Sequence, residues 1–346
     1  MNNWYRSCTL ILLLFFTSST LLACESQLRR EVADMERTRD TEGIVALLER
    51  TVAQDPGHAE AQFLLGKKRF ESGDFQEGQE AFEASVEQTR RFEEQIDFIR
   101  EKHFRQRYDT GVEALAADRP ERAIGALQDA RVIKPDDYTV HRTLGHAFAE
   151  AERLEEALNA YQSALAHNSE DLETLANVGE LEYRRGSYQA ALQHATAGLE
   201  VLDGEVHPLA EDFLQRKANA HLRLGSLSEA ETALNALLQL DGGSETRMDY
   251  ARVLFNQEKY EEAHTQLLRI GADDEEYLRM LAESRYHMED YDGMIETYER
   301  LLQGMSGDDE AIRNLIIGYE MIGDERRAAS YREQLQTQLR EGGSDD

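Results

Sequence analysis

Residues 138–171 read YTVHRTLGHAFAEAERLEEALNAYQSALAHNSED, and residues 59–92 read AEAQFLLGKKRFESGDFQEGQEAFEASVEQTRRF. Both stretches carry Leu-Gly at positions 7 and 8, a turn near positions 15–16, a small residue at position 20 and an aromatic at position 24. Self-similarity at a fixed period of this length is the mark of a repeat array, in which one supersecondary unit stacks on the next. The pattern has a steric meaning. Small side chains where two antiparallel helices face each other let them approach, and bulky ones fill the gaps beside them.

The phase can be followed along the chain. Position 8 holds Gly66, Gly111, Gly145, Gly179, Ala218, Ala251 and Ala282, and position 20 holds Gly78, Ala123, Ala157, Ala191, Ala230, Ala263, Met294 and Ala328. Position 24 carries Phe82, Leu127, Tyr161, Leu234, Leu267 and Tyr298. Units therefore start near residues 59, 104, 138, 172, 211, 244, 275 and 309, and IVALLERTVAQDPGH, with Pro56 ending its second helix, suggests a weaker one before them. Eleven extra residues at about 93–103 read as a lengthened helix, and a second insertion around Gly204–Ala210 contains Pro208. Ile316 replaces the small position-8 residue of the last unit.

This pattern resembles the tetratricopeptide repeat. The resemblance implies an all-α fold, a TPR-type α-solenoid forming a right-handed superhelix of helix-turn-helix units. The expected organisation is a leader over 1–23, a helical segment with a weak first repeat over 24–58, an array of about eight repeats over 59–342, and a disordered tail over 343–346. Leu335 and Leu339 of the last helix, with no capping helix after them, are candidates for self-association on an otherwise solvated end.

Net charge narrows the function. With 68 acidic and 38 basic residues the chain carries a formal −30, a field that repels a phosphate backbone and disfavours broad adhesion to anionic lipid. At 41% hydrophobic residues the chain still suits a folded protein. Two cysteines give neither a disulfide framework nor a C-x-x-C site. No zinc-protease, nucleophile-elbow, phosphate-loop or calcium-loop motif is present, and no residues remain to build a catalytic domain after the array. His141 and His146 lie five apart, a poor spacing for one helical face. No enzyme, metal or cofactor is expected.

The first residues have a different character. One basic residue, Arg6, precedes an apolar run that is short for a membrane span but suits the core of a secretory leader. Leu21-Leu22-Ala23-Cys24 then resembles the bacterial lipobox. The resemblance implies acylation of Cys24, cleavage before it, and, with Glu25 following, an outer-membrane lipoprotein facing the periplasm. Cleavage would remove Trp4 and Cys8 with the leader.

In the tetratricopeptide family the first helix of each unit lines a groove through positions 2, 5, 6, 9, 12 and 13. Reading those positions here gives Arg142, Arg184, Arg216, Arg223, Arg252 and Arg279, set among Glu150, Glu173, Glu180, Asp212, Glu245, Asp249, Glu276 and Glu283. The groove thus approaches charge balance in a strongly acidic chain. Asn177, Asn219 and Asn256 add hydrogen-bonding capacity, and Phe148, Tyr183, Phe255 and Tyr286 add aromatic area. Arg142, His146, Asn177, Tyr183, Arg216, Arg223, Arg252 and Phe255 are the candidate partner-binding residues. The bland alternative is that the arginines only offset neighbouring carboxylates. A resemblance to carboxylate-clamp members rests on Arg142, Asn177 and Arg216, with His146 and Asp212 departing from it.

Taken together, the sequence predicts a non-enzymatic adaptor lipoprotein that holds an envelope protein or extended peptide. The alternatives are a polysaccharide or small molecule in an export system, and a structural homo-oligomer.

Overall fold

The structure, a computed structural model, describes residues 27–240 and 242–342. The leader and Cys24 lie outside the described residues, as does the 343–346 tail. Helix α1 covers 27–38. It is followed by α2 Thr41–Gln54, α3 Ala59–Ser72, α4 Phe75–Gln88, a 3-10 turn Arg90–Phe92, α5 Glu93–Ala116, α6 Pro120–Ile133, α7 Tyr138–Glu150 and α8 Leu154–His167. Then come α9 Leu172–Arg184, α10 Tyr188–Leu202, α11 Leu209–Arg223, α12 Leu227–Leu240, α13 Ser244–Asn256, α14 Tyr260–Ile270, α15 Glu275–His287, α16 Tyr291–Gly304, α17 Asp309–Met321 and α18 Glu325–Gly342. The described residues contain no strand. The all-α solenoid expected from the repeat is what forms. The eleven extra residues lengthen α5 to 24 residues, and the second insertion becomes the loop before α11.

Consecutive helices pair as antiparallel hairpins, and each hairpin turns in the same way. One residue at each turn adopts a positive φ: Arg39, Gly73, Asp118, Glu152, Gly186, Gly225, Glu258, Glu289 and Gly323. The amide after it donates back to the carbonyl five residues earlier, as in Asp74 N to Arg69 O at 2.8 Å and Ser187 N to Glu182 O at 2.8 Å. That bond satisfies a carbonyl the helix end would otherwise leave open.

The position-8 and position-24 residues meet as the repeat predicts. A Cβ placed on Gly66 would lie 2.5 Å from the Phe82 ring, one on Gly111 2.5 Å from Leu127, and one on Gly145 2.5 Å from the Tyr161 ring. Gly179 is the exception, with nothing nearer than 3.6 Å, because position 24 of its unit is Ala195.

The chain divides into two compact units, Met1–Ser169 and Glu170–Asp346. In the first, Leu28, Val32, Ile44, Leu48 and Ala61 form one core cluster, and the fully buried Glu60 is paired with Arg29. In the second, Ala218, Ala230, Ala233, Leu234, Leu237 and Val253 form one cluster. A larger one spans α13 to α18 around Leu278, Leu281, Tyr298, Leu315 and Tyr319. These stacked cores make each first helix a rigid support for the side chains it turns outward.

Candidate functional site: a crevice between α9 and α11

Within the second unit, α10 is the return helix between α9 and α11, so α9 and α11 run in the same direction. Two adjoining clefts lie along the line between them. One, of about 380 Å³, is lined by Glu173, Ala176, Asn177, Glu180, Leu209, Asp212, Phe213 and Arg216. The other, of about 450 Å³, is lined by Glu180, Tyr183, Arg184, Tyr188, Asp212, Gln215, Arg216, Asn219 and Arg223. They share Glu180, Asp212 and Arg216, so they form one crevice running from the N-terminal to the C-terminal ends of the two helices. Charged and amide side chains dominate the lining. Of its charged residues, Glu173 and Asp212 lie in the first turns of their helices and Arg184 and Arg223 in the last, which complements the helix dipoles, while Glu180 and Arg216 face each other mid-helix.

Most of the groove arginines are engaged within the chain. Arg216 pairs with Glu180 across the crevice and lies over the Tyr183 ring at 5.9 Å. Arg252 bridges Asp249 and Glu276, its Nε lying 2.7 Å from the latter's carboxylate. That pairing holds the Glu276 carboxyl below its ordinary range, whereas burial pushes the Asp249 carboxyl up. Arg279 is shared by Glu275, Asp308 and Glu310. For these three the intramolecular reading of the groove charges holds.

Arg184 and Arg223 differ. Arg184 is exposed and has no hydrogen bond or ion pair among the described residues. Arg223, also exposed, donates from Nε to the Tyr183 hydroxyl at 3.4 Å, lies over Tyr188 at 6.0 Å and has no carboxylate partner. The Tyr183 hydroxyl raises the Arg223 pKa, so its charge is fixed. Asp212, exposed in the first turn of α11 where it lines both clefts, likewise has no ion pair. Nothing in the repeat spacing separated these residues from the paired ones, because position on a helix face does not say which carboxylate a guanidinium will reach.

The remaining predicted residues fall as follows. Asn177 lines the first cleft and Tyr183 the second. Tyr183 packs edge-on to Tyr188 at 5.3 Å. Phe255 packs against Tyr260 at 5.0 Å, and Tyr260 stacks on His287 at 3.7 Å. In the first unit, Arg142 lies over Tyr138 at 5.9 Å, and His146 is exposed on the same helix. Phe148 is buried beneath Arg153 and offers no groove surface, contrary to its expected aromatic contribution. His141 is also buried: its Nε2 lies 2.6 Å from the Pro135 carbonyl and its ring stacks on His167. The described residues contain no cluster of three or more His, Cys, Asp or Glu suited to a metal, and none of their helices is long and apolar enough to cross a membrane.

Comparisons with known proteins bear on the build. A family model described as tetratricopeptide repeat matches residues 108–166, 142–200 and 216–276. No curated protein sequence matches the chain significantly. Among solved structures, one from a functional characterisation of Pseudomonas aeruginosa pilF is 18% identical, with a TM-score of 0.44, covering 65% of this chain and 99% of its own. YrrB, described as a TPR protein with an unusual peptide-binding site, is 15% identical at a TM-score of 0.45, covering 61% and 100%. MamA is 12% identical at 0.44, covering 55% and 96%. Similarities at this level carry no inference about partner or pathway. Residues 108–200 and 216–276 of this all-α solenoid therefore match the tetratricopeptide repeat.

Proposed function

We propose that the chain is a non-enzymatic adaptor: a tetratricopeptide scaffold that holds an extended segment of another protein, tethered by lipid on Cys24 to the periplasmic face of a bacterial outer membrane. The observation that carries the binding role is the open crevice along α9 and α11, most of whose lining residues are charged or amide side chains, set on a stack of hairpins. Small-molecule pockets are usually closed and apolar, so this shape favours a peptide over a metabolite or sugar. Proteins of this repeat type are typically non-catalytic adaptors. The envelope setting rests on Leu21-Leu22-Ala23-Cys24 and the apolar run before it. Three acyl chains would hold firmly, since each buried methylene contributes about 0.8 kcal/mol. Tethering plus groove contact raises the local concentration of a partner without chemistry.

The test is crosslinking of the acylated protein in its native envelope, followed by identification of what is attached. A specific envelope protein joined through α9–α11 is the expected product. Recovery of glycan alone, or of nothing above background, contradicts the proposal.

A second reading, self-association, draws on the last hairpin, where Met321, Ile322 and Leu339 are exposed. It requires a dimer in solution that the paired substitutions Leu335→Asp and Leu339→Asp abolish. A chain that is monomeric at high concentration removes it.

A further inference from the structure

Arg184 and Arg223 line the same cleft, which Glu180 and Asp212 also line, yet neither arginine has an ion pair, in a chain whose net charge is −30 and whose neighbouring groove arginines at 216, 252 and 279 are all ion-paired. Two guanidinium groups left uncompensated beside two tyrosines and the amides of Gln215 and Asn219 make a ready receptor for a carboxylate. A guanidinium matches that group with two parallel N–H donors, and the aromatic rings and amides supply the flanking contact. At the other end of the crevice the charges reverse. Asp212 has no ion pair, and Glu173 and Glu180 stand with it around the first cleft.

We infer that the crevice binds an extended peptide of dipolar charge, with an Asp or Glu side chain seated between Arg184 and Arg223 and a Lys or Arg side chain meeting Asp212. The inference rests on the adaptor reading above and specifies the chemistry of its ligand. Asp212 and Arg223 are eleven residues apart on α11, a rise of about 16 Å at the helical spacing. An extended chain advances about 3.3 Å per residue, so the acidic and basic residues of the ligand are about five positions apart. A polyacidic ligand is disfavoured by the field of the whole chain, which leaves a single carboxylate flanked by neutral or basic residues.

The probe is an array of capped, amidated ten-residue peptides on an Ala/Ser/Phe background. Each carries one Lys and one Glu at separations from two to eight in both orders, with Gln replacing Glu in matched controls. Binding to the full chain is read by fluorescence polarisation at two salt concentrations. The tightest peptides should have separations of four to six, and Gln for Glu should weaken them about tenfold. Arg184→Gln with Arg223→Gln should cause the same loss without change in helical circular dichroism, and Asp212→Asn should erase the preference for Lys. Equal binding of Glu and Gln peptides overturns the inference, as does full binding by the double arginine variant. If a partner still crosslinks to the crevice in the envelope while peptides bind regardless of charge, only the ligand chemistry is wrong. If neither crosslink nor peptide is found, the adaptor reading falls with it.

Discussion

Gly145→Ala and Gly179→Ala are the same change at the same repeat position, and they should act in opposite directions. Mid-helix glycine costs about 1 kcal/mol against alanine, so both variants gain about that much in helix propensity. At Gly179 the new methyl meets nothing nearer than the Arg216 Cδ at 3.6 Å, an ordinary contact, and the gain should appear as about 1 kcal/mol of stabilisation. At Gly145 the methyl would sit 2.5, 2.6 and 2.8 Å from three ring atoms of Tyr161. That ring is 2% exposed and has no free direction in which to move. Overpacking of this kind costs about 1–3 kcal/mol, leaving Gly145→Ala neutral to destabilised by about 2 kcal/mol after the propensity gain. The chain itself shows what relief requires: α15 and α16 place Ala282 opposite Tyr298, so the α7–α8 pair would have to adopt a different separation against neighbours that hold it. Urea denaturation followed by circular dichroism, with hydrogen exchange assigning the change to each unit, measures both variants. Combining Gly145→Ala with Tyr161→Ala, the residue that stands at the same position opposite the uncrowded Gly179, should cost less than the two single changes summed, the favourable coupling expected of residues in contact. Shifts of equal sign and size at the two glycines, or additive behaviour of the double variant, would refute the steric account of the repeat.

Three further outcomes follow from particular residues. Glu258 and Glu289 hold positive φ of 61° and 59° at hairpin turns where other hairpins use glycine, so Glu258→Gly and Glu289→Gly should each stabilise by about 1 kcal/mol in the same denaturation assay. Burial depresses the pKa of His103, His194, His221 and His264, the last lowered further by Arg285, while Glu182 beside His194 and Glu229 beside His221 act in the other direction. The unfolded chain therefore takes up protons first, and stability should begin to fall as pH drops through about 6.5, above the carboxylate range. His194→Gln should flatten that fall between pH 7 and 5, and an unchanged midpoint slope would contradict the assignment. In cells, Cys24→Ser should leave an unprocessed precursor, and normal processing with unchanged membrane attachment would sink the lipoprotein proposal.

The fold was largely legible because its determinant is a contact between fixed positions. Gly66 against Phe82 and Gly145 against Tyr161 are written in the sequence sixteen residues apart, and the structure brings each pair together. The lengthened α5 was visible for the same reason, as a break in phase. The crevice was less legible. Repeat position tells which face of α9 or α11 a residue occupies, but not that Arg216 reaches Glu180 while Arg184 reaches no carboxylate. Those outcomes depend on side-chain reach between helices 36 residues apart in sequence, where no periodic signal operates. Phe148 illustrates a related limit: one position off the groove pattern placed it in the core instead of on the surface. Gly198, whose absent Cβ makes room for the Phe213 ring from α11, lies outside the groove and hairpin positions and was found only in three dimensions.

The central claim is that partners are held in the α9–α11 crevice, and site-specific photocrosslinking in the native envelope tests it most directly. A photoreactive residue at Gln215 or Asn219, both lining the crevice, should capture a discrete protein, whereas one at Gln193 or Asn235, exposed on α10 and α12, should not. Capture of the same protein with equal yield from all four positions, or from α10 and α12 alone, would contradict it.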